Sequence, residues 1–567
     1  MATSLEYAKL CCLVVEDVYG PFLSHIFQVL AECGRLAGPQ LAQKCRLPLR
    51  QLQSGLASLI QLRLVYHHTP SQGITSYQAN TTNAYNLLRT GQLIQLAEKT
   101  EGHDAARILQ QLALLGYSTA RELEARIHEL PPHEEQGDGS TNPQPNGHSD
   151  RMSLDNPTTL QKDFKSNLRR LIDNKYICRV RDFHFSSTFD ARTEVEREIF
   201  GGGSSSSTKS KKAQAEADET VSSQLAQRLD ASVSSHDVLN ELSSTNLDRP
   251  TLLCLDYSNS IIIHRNKALA SLAETMLGAQ TARVLHASAK QVDLGSRAAD
   301  SAFGNYVNTS SRTVLDVAEI EDEVEHGEEA MMQPLRISQN GRSNVRALNG
   351  NHSSFTGNGS HTHINIQDHL GILSESHFSF IQNDPRTGIW SIDHNRMNLF
   401  LRDKEMMRIV QDEYVKHGPS LRILRMLSEK GKLDEKSLQE IGLLGAKDLR
   451  KTLGYLQSAG LLELQEVPRE PQRQPNRTIF LWFYDAERVQ KLLLNRLYKS
   501  MSRLYQRLHI ERQKLSALTS HLEREDVAQD NLAKKQLEEL AELCQKESWF
   551  ASEIGRLDQS IALLRDL

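Results

Sequence analysis

Four stretches of the chain share one pattern of apolar positions: an apolar residue, a second four residues on, a third three further, and a last one five beyond that. The members are Leu52, Leu56, Leu59 and Leu64; Phe164, Leu168, Leu171 and Tyr176; Ile366, Leu370, Leu373 and Phe378; and Leu449, Leu453, Leu456 and Leu461. Steps of four and three keep side chains on one face of an α-helix. The step of five leaves that period, and the chain passes into a short strand. A second strand follows, most clearly in the first, third and fourth copies. The predicted unit is a helix feeding a β-hairpin, which is how a winged helix ends.

Around the first copy the pattern predicts helices at Leu5–Glu16 and Tyr19–Cys33, a short helix at Pro39–Lys44, the repeat helix after Pro48, and strands at Leu64–His68 and Ile74–Gln78. Pro39 suits a first helical turn, and Pro70 and Gly73 suit the turn between the strands. In the fourth copy Leu438 precedes Leu449 as Leu41 precedes Leu52, so the likeness extends over a whole helix-turn-helix. The second copy is preceded by helices near Tyr85–Lys99, Asp104–Leu115 and Thr119–Leu130. The third is preceded by a helix at Ala268–Leu277 and followed by one at Met397–His417.

Three stretches interrupt these units. Residues 131–156 are rich in Pro, Gly, Asn and Ser, residues 200–223 contain GGGSSSSTKSKK, and about 293–362 holds an acidic cluster at Asp316–Glu329 and a Gly/Asn/Ser/His-rich run. Such compositions bury too little apolar surface to fold, and are expected to be a disordered insertion, a flexible linker and a second disordered insertion. After residue 485 the period changes. Leu494, Leu497, Met501, Leu504, Leu508, Leu515, Leu518 and Leu522 form one seam, and Leu540, Leu543, Phe550, Ile554, Leu557, Ile561 and Leu564 a second, with Glu511 and Glu547 out of place and a polar break at Asp526–Asn531. Two seams with a break predict an antiparallel coiled-coil hairpin; a long surface helix packed on the body is the alternative.

The expected fold is therefore mainly α with small β-hairpins: four tandem winged-helix domains followed by a C-terminal antiparallel coiled coil. The domains are a first winged helix at 1–82, a second at 83–199, the linker at 200–223, a third at 224–417, a fourth at 418–484 and the hairpin at 485–567. At 567 residues the chain is too long for one core.

Net charge of −5 excludes a generally basic protein, so nucleic-acid contact has to come from local patches. The strongest is Lys162, Lys165, Arg169, Arg170, Lys175, Arg179 and Arg181 against Asp163 and Asp173, a local +5. On a recognition helix and wing such residues neutralise phosphates; a solvated face or a seat for an acidic partner reads equally well. Arg469, Arg473 and Arg477 mark a proline-stiffened wing loop in the fourth unit. The recognition helix of the first unit, Gln51–Leu62, is almost uncharged and suits protein contact. Seven cysteines without a CxxC pair read as reduced thiols of an intracellular protein, and neither a signal peptide nor an apolar run of membrane-spanning length is evident. No catalytic residues, cofactor or metal site are expected: phosphate-loop, dinucleotide and hydrolase motifs are missing, and His352, His361, His363 and His369 lack partners at metal spacing.

The segment Leu10–Gly20 (LCCLVVEDVYG) and the run Arg477–Trp482 (RTIFLW) leading through Arg496–Ser500 (RLYKS) resemble the large winged-helix subunit of eukaryotic RNA polymerase III. The order of elements is similar over nearly the whole chain. The resemblance implies a non-catalytic, nuclear subunit that joins two other polymerase III subunits in a heterotrimer on the clamp side. It implies contact with initiation factors, weak non-specific contact with promoter DNA, and a role in promoter opening at small untranslated RNA genes such as tRNA and 5S rRNA. No membrane or small-molecule substrate is implied. The alternative is a tandem winged-helix scaffold outside transcription, of a trafficking or proteasome-lid type.

Overall fold

The computed structural model describes residues 4–70, 73–129, 157–200, 211–243, 250–292, 312–326, 366–414, 419–468, 478–514 and 534–567. They fall into two compact bodies, one holding residues up to Ile261 and from Met406 to Asp566, the other lying between Ile262 and Glu405.

The first body begins with α1 (Leu5–Tyr19), α2 (Pro21–Cys33), β1 (Leu36–Ala37), α3 (Gly38–Cys45), α4 (Leu49–Gln61), β2 (Val65–His68) and β3 (Ser76–Ala79). The strands form one antiparallel sheet in the order β1-β3-β2. The next module has α5 (Thr81–Glu101), α6 (His103–Leu115), β4 (Ser118–Thr119), α7 (Ala120–Glu129), α8 (Pro157–Asp173) and β5 (Ile177–Val180). A 3-10 turn at Asp182–Phe185 follows, then α9 (Thr188–Phe200), α10 (Lys211–Leu229), α11 (Ser235–Ser243) and β6 (Leu252–Leu255). The sheet order is β4-β6-β5, the same plan as before.

That sheet corrects two expectations. Its second wing strand is β6, so the module runs past residue 199, and the segment from 224 does not open a third unit. The proposed 200–223 linker is helical from Lys211 onward, because Val221 and Leu225 bury against Ala191 and Val195 of α9. Residues 201–210 and 131–156 lie outside the described residues.

The second body contains most of α12 (Ser258–Leu277), then α13 (Ala279–Lys290), β7 (Arg312–Val314), α14 (Val317–His326), α15 (Ile366–Glu375), β8 (Ile381–Asn383), β9 (Trp390–Asp393) and the start of α16 (His394–Tyr414). Its sheet order is β7-β9-β8. Residues 312–326 were expected to be part of a disordered insertion. Instead β7 pairs with β9, and α14 buries Ile320 and Val324 while its carboxylates point outward. The acidic charge belongs to one face of an amphipathic helix. The remainder of that insertion lies outside the described residues.

The first body resumes with α17 (Ser420–Lys430), α18 (Glu435–Gly442), α19 (Ala446–Ser458), β10 (Glu463–Pro468) and β11 (Thr478–Phe483). Here the place of the short third strand is taken by a single bridge, Leu433 to Trp482.

All sixteen repeat positions are buried, none more than 4% exposed. The step of five is a helix cap. Leu64, Tyr176 and Leu461 donate their N–H groups to the carbonyls of Leu59, Leu171 and Leu456 at 2.8, 2.9 and 2.9 Å. The residue before each is left-handed: Arg63 at φ 57°, Lys175 at 56° and Gly460 at 77°. This is the Schellman arrangement, with the apolar residue after the turn folded back onto the helix. The third copy differs: Ser376 N–H bonds Ile372 O, and β8 starts three residues after Phe378.

The tail forms α20 (Ala486–Lys514) and α21 (Lys534–Ile561), continued by a π-helical turn over Ala562–Asp566. They run antiparallel: Gln490 bonds Leu564 O, whereas Arg512 bonds Glu547 at 2.6 Å. Much of the seam is spent on the body. Val489 and Leu493 enter the core of the fourth module, and Tyr498, Met501, Ile554 and Ile561 enter that of the first. The seam interruptions are ionic ties, with Glu511 held by Lys514, Arg507 and Lys546. The hairpin is thus a spine shared by two modules.

Candidate nucleic-acid and partner interface

Helix α8 turns Phe164, Leu168, Leu171 and Ile172 inward, which leaves the positions of Lys162, Lys165 and Arg169 together on its outer side. Lys165 is half-buried and Arg169 exposed; the side chain of Lys162 lies outside the described ones. Arg169 meets Asp173 at 3.5 Å, one turn on. Arg170 points to the other flank and binds Glu101 at 2.8 Å, a carboxylate that Asn174 also holds at 2.7 Å. Arg170 therefore fastens α8 to α5. Lys175 occupies the left-handed cap.

On the wing, Arg181 donates to Gln227 O at 2.9 Å and to Asp230 at 3.3 Å. Burial works against the Asp230 carboxylate, but the Ser232 N–H and hydroxyl, with Arg181 and Arg179 nearby, outweigh it and hold its pKa below the usual value. Sequence reasoning thus grouped residues that the fold separates. Lys165 and Arg169 form one outward patch, Arg179 and Arg181 a second around Asp230, and Arg170 is structural. Glu101 and Asp230 reduce the local +5 to +3. Arg469, Arg473 and Arg477 lie outside the described residues, between β10 and β11.

The equivalent helix of the fourth module, α19, presents Lys447, Arg450 and Lys451 to solvent. Arg450 pairs with Glu435, and no ion pair is recorded for Lys447 or Lys451 among the described residues. Their i, i+4 spacing is visible in the sequence, although the charge there is less dense than in the second unit. Leu443, at the turn before α19, is 87% exposed in a left-handed conformation. On α4 the outward face is uncharged apart from Arg50, and Leu49 stands exposed at its start.

A second cluster left no signal in the sequence. Arg89 is fully buried, bonds both oxygens of Asp558 at 2.9–3.1 Å and reaches Asp566 at 2.8 Å. Tyr85 donates its hydroxyl to Asp558 at 2.6 Å. Arg565 binds Asp566 and lies 4.0 Å over the Tyr85 ring. This network ties α5 to the end of the tail. Its central Arg89–Asp558 pair is closed to solvent, and Arg565 and Asp566 are mostly covered, so its role is structural.

Among the described residues no set of three His, Cys or carboxylate side chains converges as a metal site. His369 hydrogen-bonds Thr281 at 3.0 Å, and His352, His361 and His363 lie outside the described residues. No described helix is long and apolar enough to cross a membrane.

Family profiles match three parts of the chain: the RNA polymerase III subunit RPC82 helix-turn-helix domain at residues 9–69, the RNA polymerase III subunit RPC82 profile at 166–398, and the C-terminal winged-helix domain of POLR3C at 406–484. The DNA-directed RNA polymerase III subunit rpc3 of Aspergillus fumigatus is 31% identical, aligned over 100% of both chains. Those of Aspergillus niger and Emericella nidulans are each 30% identical, over 100% and 99% of both chains. With winged-helix modules at both ends of the alignment and full-length similarity between them, the chain belongs to the RPC3/RPC82 family of RNA polymerase III subunits.

Proposed function

We propose that this chain is a non-catalytic initiation subunit with four winged-helix modules and a carboxy-terminal helical hairpin. It sits with two other polymerase III subunits in a peripheral heterotrimer on the clamp side of the nuclear enzyme. It touches promoter DNA weakly and without sequence preference, meets promoter-bound factors, and assists opening at genes such as those for tRNA and 5S rRNA. Nucleotidyl transfer is left to other subunits. The observation that carries the reading is the pair of outward basic patches on equivalent helices, Lys165 with Arg169 on α8 and Lys447 with Lys451 on α19. Cations on such helices neutralise phosphates and release counterions, which gives binding without base recognition. The nearly uncharged face of α4 suits a protein partner. Full-length similarity to polymerase III subunits disfavours a scaffold outside transcription.

The test is polymerase III carrying Lys165→Glu, Arg169→Glu, Lys447→Glu and Lys451→Glu together. Initiation on a duplex tRNA gene should fall about tenfold, with a shallower salt dependence, while extension from a pre-melted template is unchanged. Equal activity on the duplex gene, or equal loss on both templates, would remove these patches from promoter contact. Failure of the tagged chain to co-purify with polymerase III would remove the assembly itself.

A further inference from the structure

Strands β5 and β6 place Cys178 directly opposite Cys254, with sulfurs 3.3 Å apart. Two residues along the same ladder, Asp256 N–H donates to Tyr176 O. Antiparallel pairs alternate, so Cys178 and Cys254 are also a hydrogen-bonded pair, whose Cα atoms sit about 5.5 Å apart. That separation lies inside the disulfide window of about 4.4–6.8 Å. Ile177, Leu253 and Leu255 turn to the core of the second module, so the two cysteines occupy the opposite face of the sheet, toward the first module.

There Arg63 Nη1 donates to Cys254 Sγ at 2.6 Å. Arg63 is held in place as the left-handed cap of α4, its carbonyl accepting from the side-chain amides of Asn80 at 3.0 Å and Asn83 at 3.1 Å. A guanidinium against sulfur favours the thiolate, the reactive form. The hydrogen bond from Cys178, aided by Arg63, draws the Cys254 thiol below its ordinary pKa against the effect of burial. The same hydrogen bond and burial push Cys178 well above it. Because Arg63 contacts Cys254 Sγ, that sulfur is the nucleophile and Cys178 the resolving thiol. By contrast, burial pushes Cys11 and Cys12 up to about 12. Cys178 is half-buried and Cys254 beside it is 1% exposed, so the oxidant has to be small.

We propose that Cys178 and Cys254 form a reversible dithiol–disulfide pair whose oxidant is a small hydroperoxide. The Cys254 thiolate attacks one peroxide oxygen; an S–O bond forms, the O–O bond breaks, and the departing hydroxide takes up the proton that Cys254 released, giving water. Cys178 sulfur then attacks the sulfenic sulfur. The S–S bond forms, and the hydroxyl leaves with the Cys178 proton as a second water. Two electrons pass from the sulfurs to one peroxide. A cellular thiol such as glutathione reverses the step by exchange. In the disulfide Cys254 Sγ can no longer carry negative charge toward Arg63, and the bond across the seam between the first and second modules weakens.

The experiment uses the full-length reduced protein titrated with hydrogen peroxide. Peptide mapping should find Cys178 joined to Cys254 before the exposed Cys544 is modified, and dithiothreitol should restore both thiols. Arg63→Gln should slow the cross-link about tenfold. In Cys178→Ser, Cys254 should accumulate as a sulfenic acid that a dimedone probe captures. Three results would each overturn the proposal: no 178–254 cross-link at peroxide levels that oxidise Cys544, an unchanged rate in Arg63→Gln, or no probe capture at Cys254 in Cys178→Ser.

Discussion

Replacing Asp558 by alanine tests whether the tail and α5 belong to one cooperative body. The carboxylate accepts from Arg89 Nε and Nη2 and from the Tyr85 hydroxyl, and both Asp558 and Arg89 have side chains with no exposed surface. Breaking such a buried pair costs about 3–5 kcal/mol, because the remaining charge keeps its desolvation penalty without its partner. Arg89 retains Asp566 at 2.8 Å, which places the expected loss near the lower end, about 3 kcal/mol. For a cooperative unit of about 150–250 residues this corresponds to a fall in Tm of about 6–12 °C. Hydrogen exchange should rise together in α1, α5 and α21. Replacing both partners, Arg89→Met with Asp558→Leu, should recover most of the loss, since an apolar pair of similar volume carries no such penalty. A change below about 0.5 kcal/mol in Asp558→Ala, or faster exchange confined to α21, would refute the reasoning. The same cluster has a pH signature. Burial alone would raise the Asp566 carboxyl, but Arg565 and Arg89 outweigh it and hold the pKa below its usual value. Its contribution is therefore complete above about pH 4, the unfolded value, and is lost as pH falls through the folded one.

Three further outcomes are expected. Gly116→Ala forces a side chain into a left-handed position at φ 78° with its Cβ against the Gln61 carbonyl; a loss of about 2 kcal/mol or more should appear in chemical denaturation, and a neutral result would disprove the close approach of α4 to this turn. Burial, with Lys290 adding to it, lowers His286 from 6.5 to about 4, so the unfolded chain binds the extra proton first and stability should decline between about pH 6.5 and 4; His286→Gln should flatten that part of the profile in thermal melts. Ile320→Ala in α14 should cost about 2–4 kcal/mol in the second body, and removal of residues 312–326 should abolish its cooperative melt, whereas a disordered segment would tolerate both.

What the sequence disclosed was local. The sixteen repeat positions declared themselves because a helix imposes its period on neighbours a few residues apart, and a cap imposes a step of five. Hairpins at Val65–Ala79 and Glu463–Phe483 followed from the same logic. The acidic segment misled because charge was counted and spacing was not: Leu315, Ile320 and Val324 were already present as the buried face. Strand β6 was missed because its partner β5 lies more than 70 residues earlier, across three helices. For the candidate interface, the cations of α8 were found but their counterions were not, since Glu101 and Asp230 reach them only through the fold. The Arg89–Asp558 pair, 469 residues apart, leaves no periodic trace at all.

That distance has a consequence for synthesis. At about 5–20 residues per second, roughly half a minute to a minute and a half passes between translation of Arg89 and of Asp558. Throughout that interval the nascent α5 carries a guanidinium whose final resting place excludes water and whose counter-ion does not yet exist. The buried cluster around Arg89 can form only after α21 emerges from the ribosome. Completion of this cluster is thus gated by translation of α21, and a message cut short before that helix leaves Arg89 and Tyr85 without Asp558.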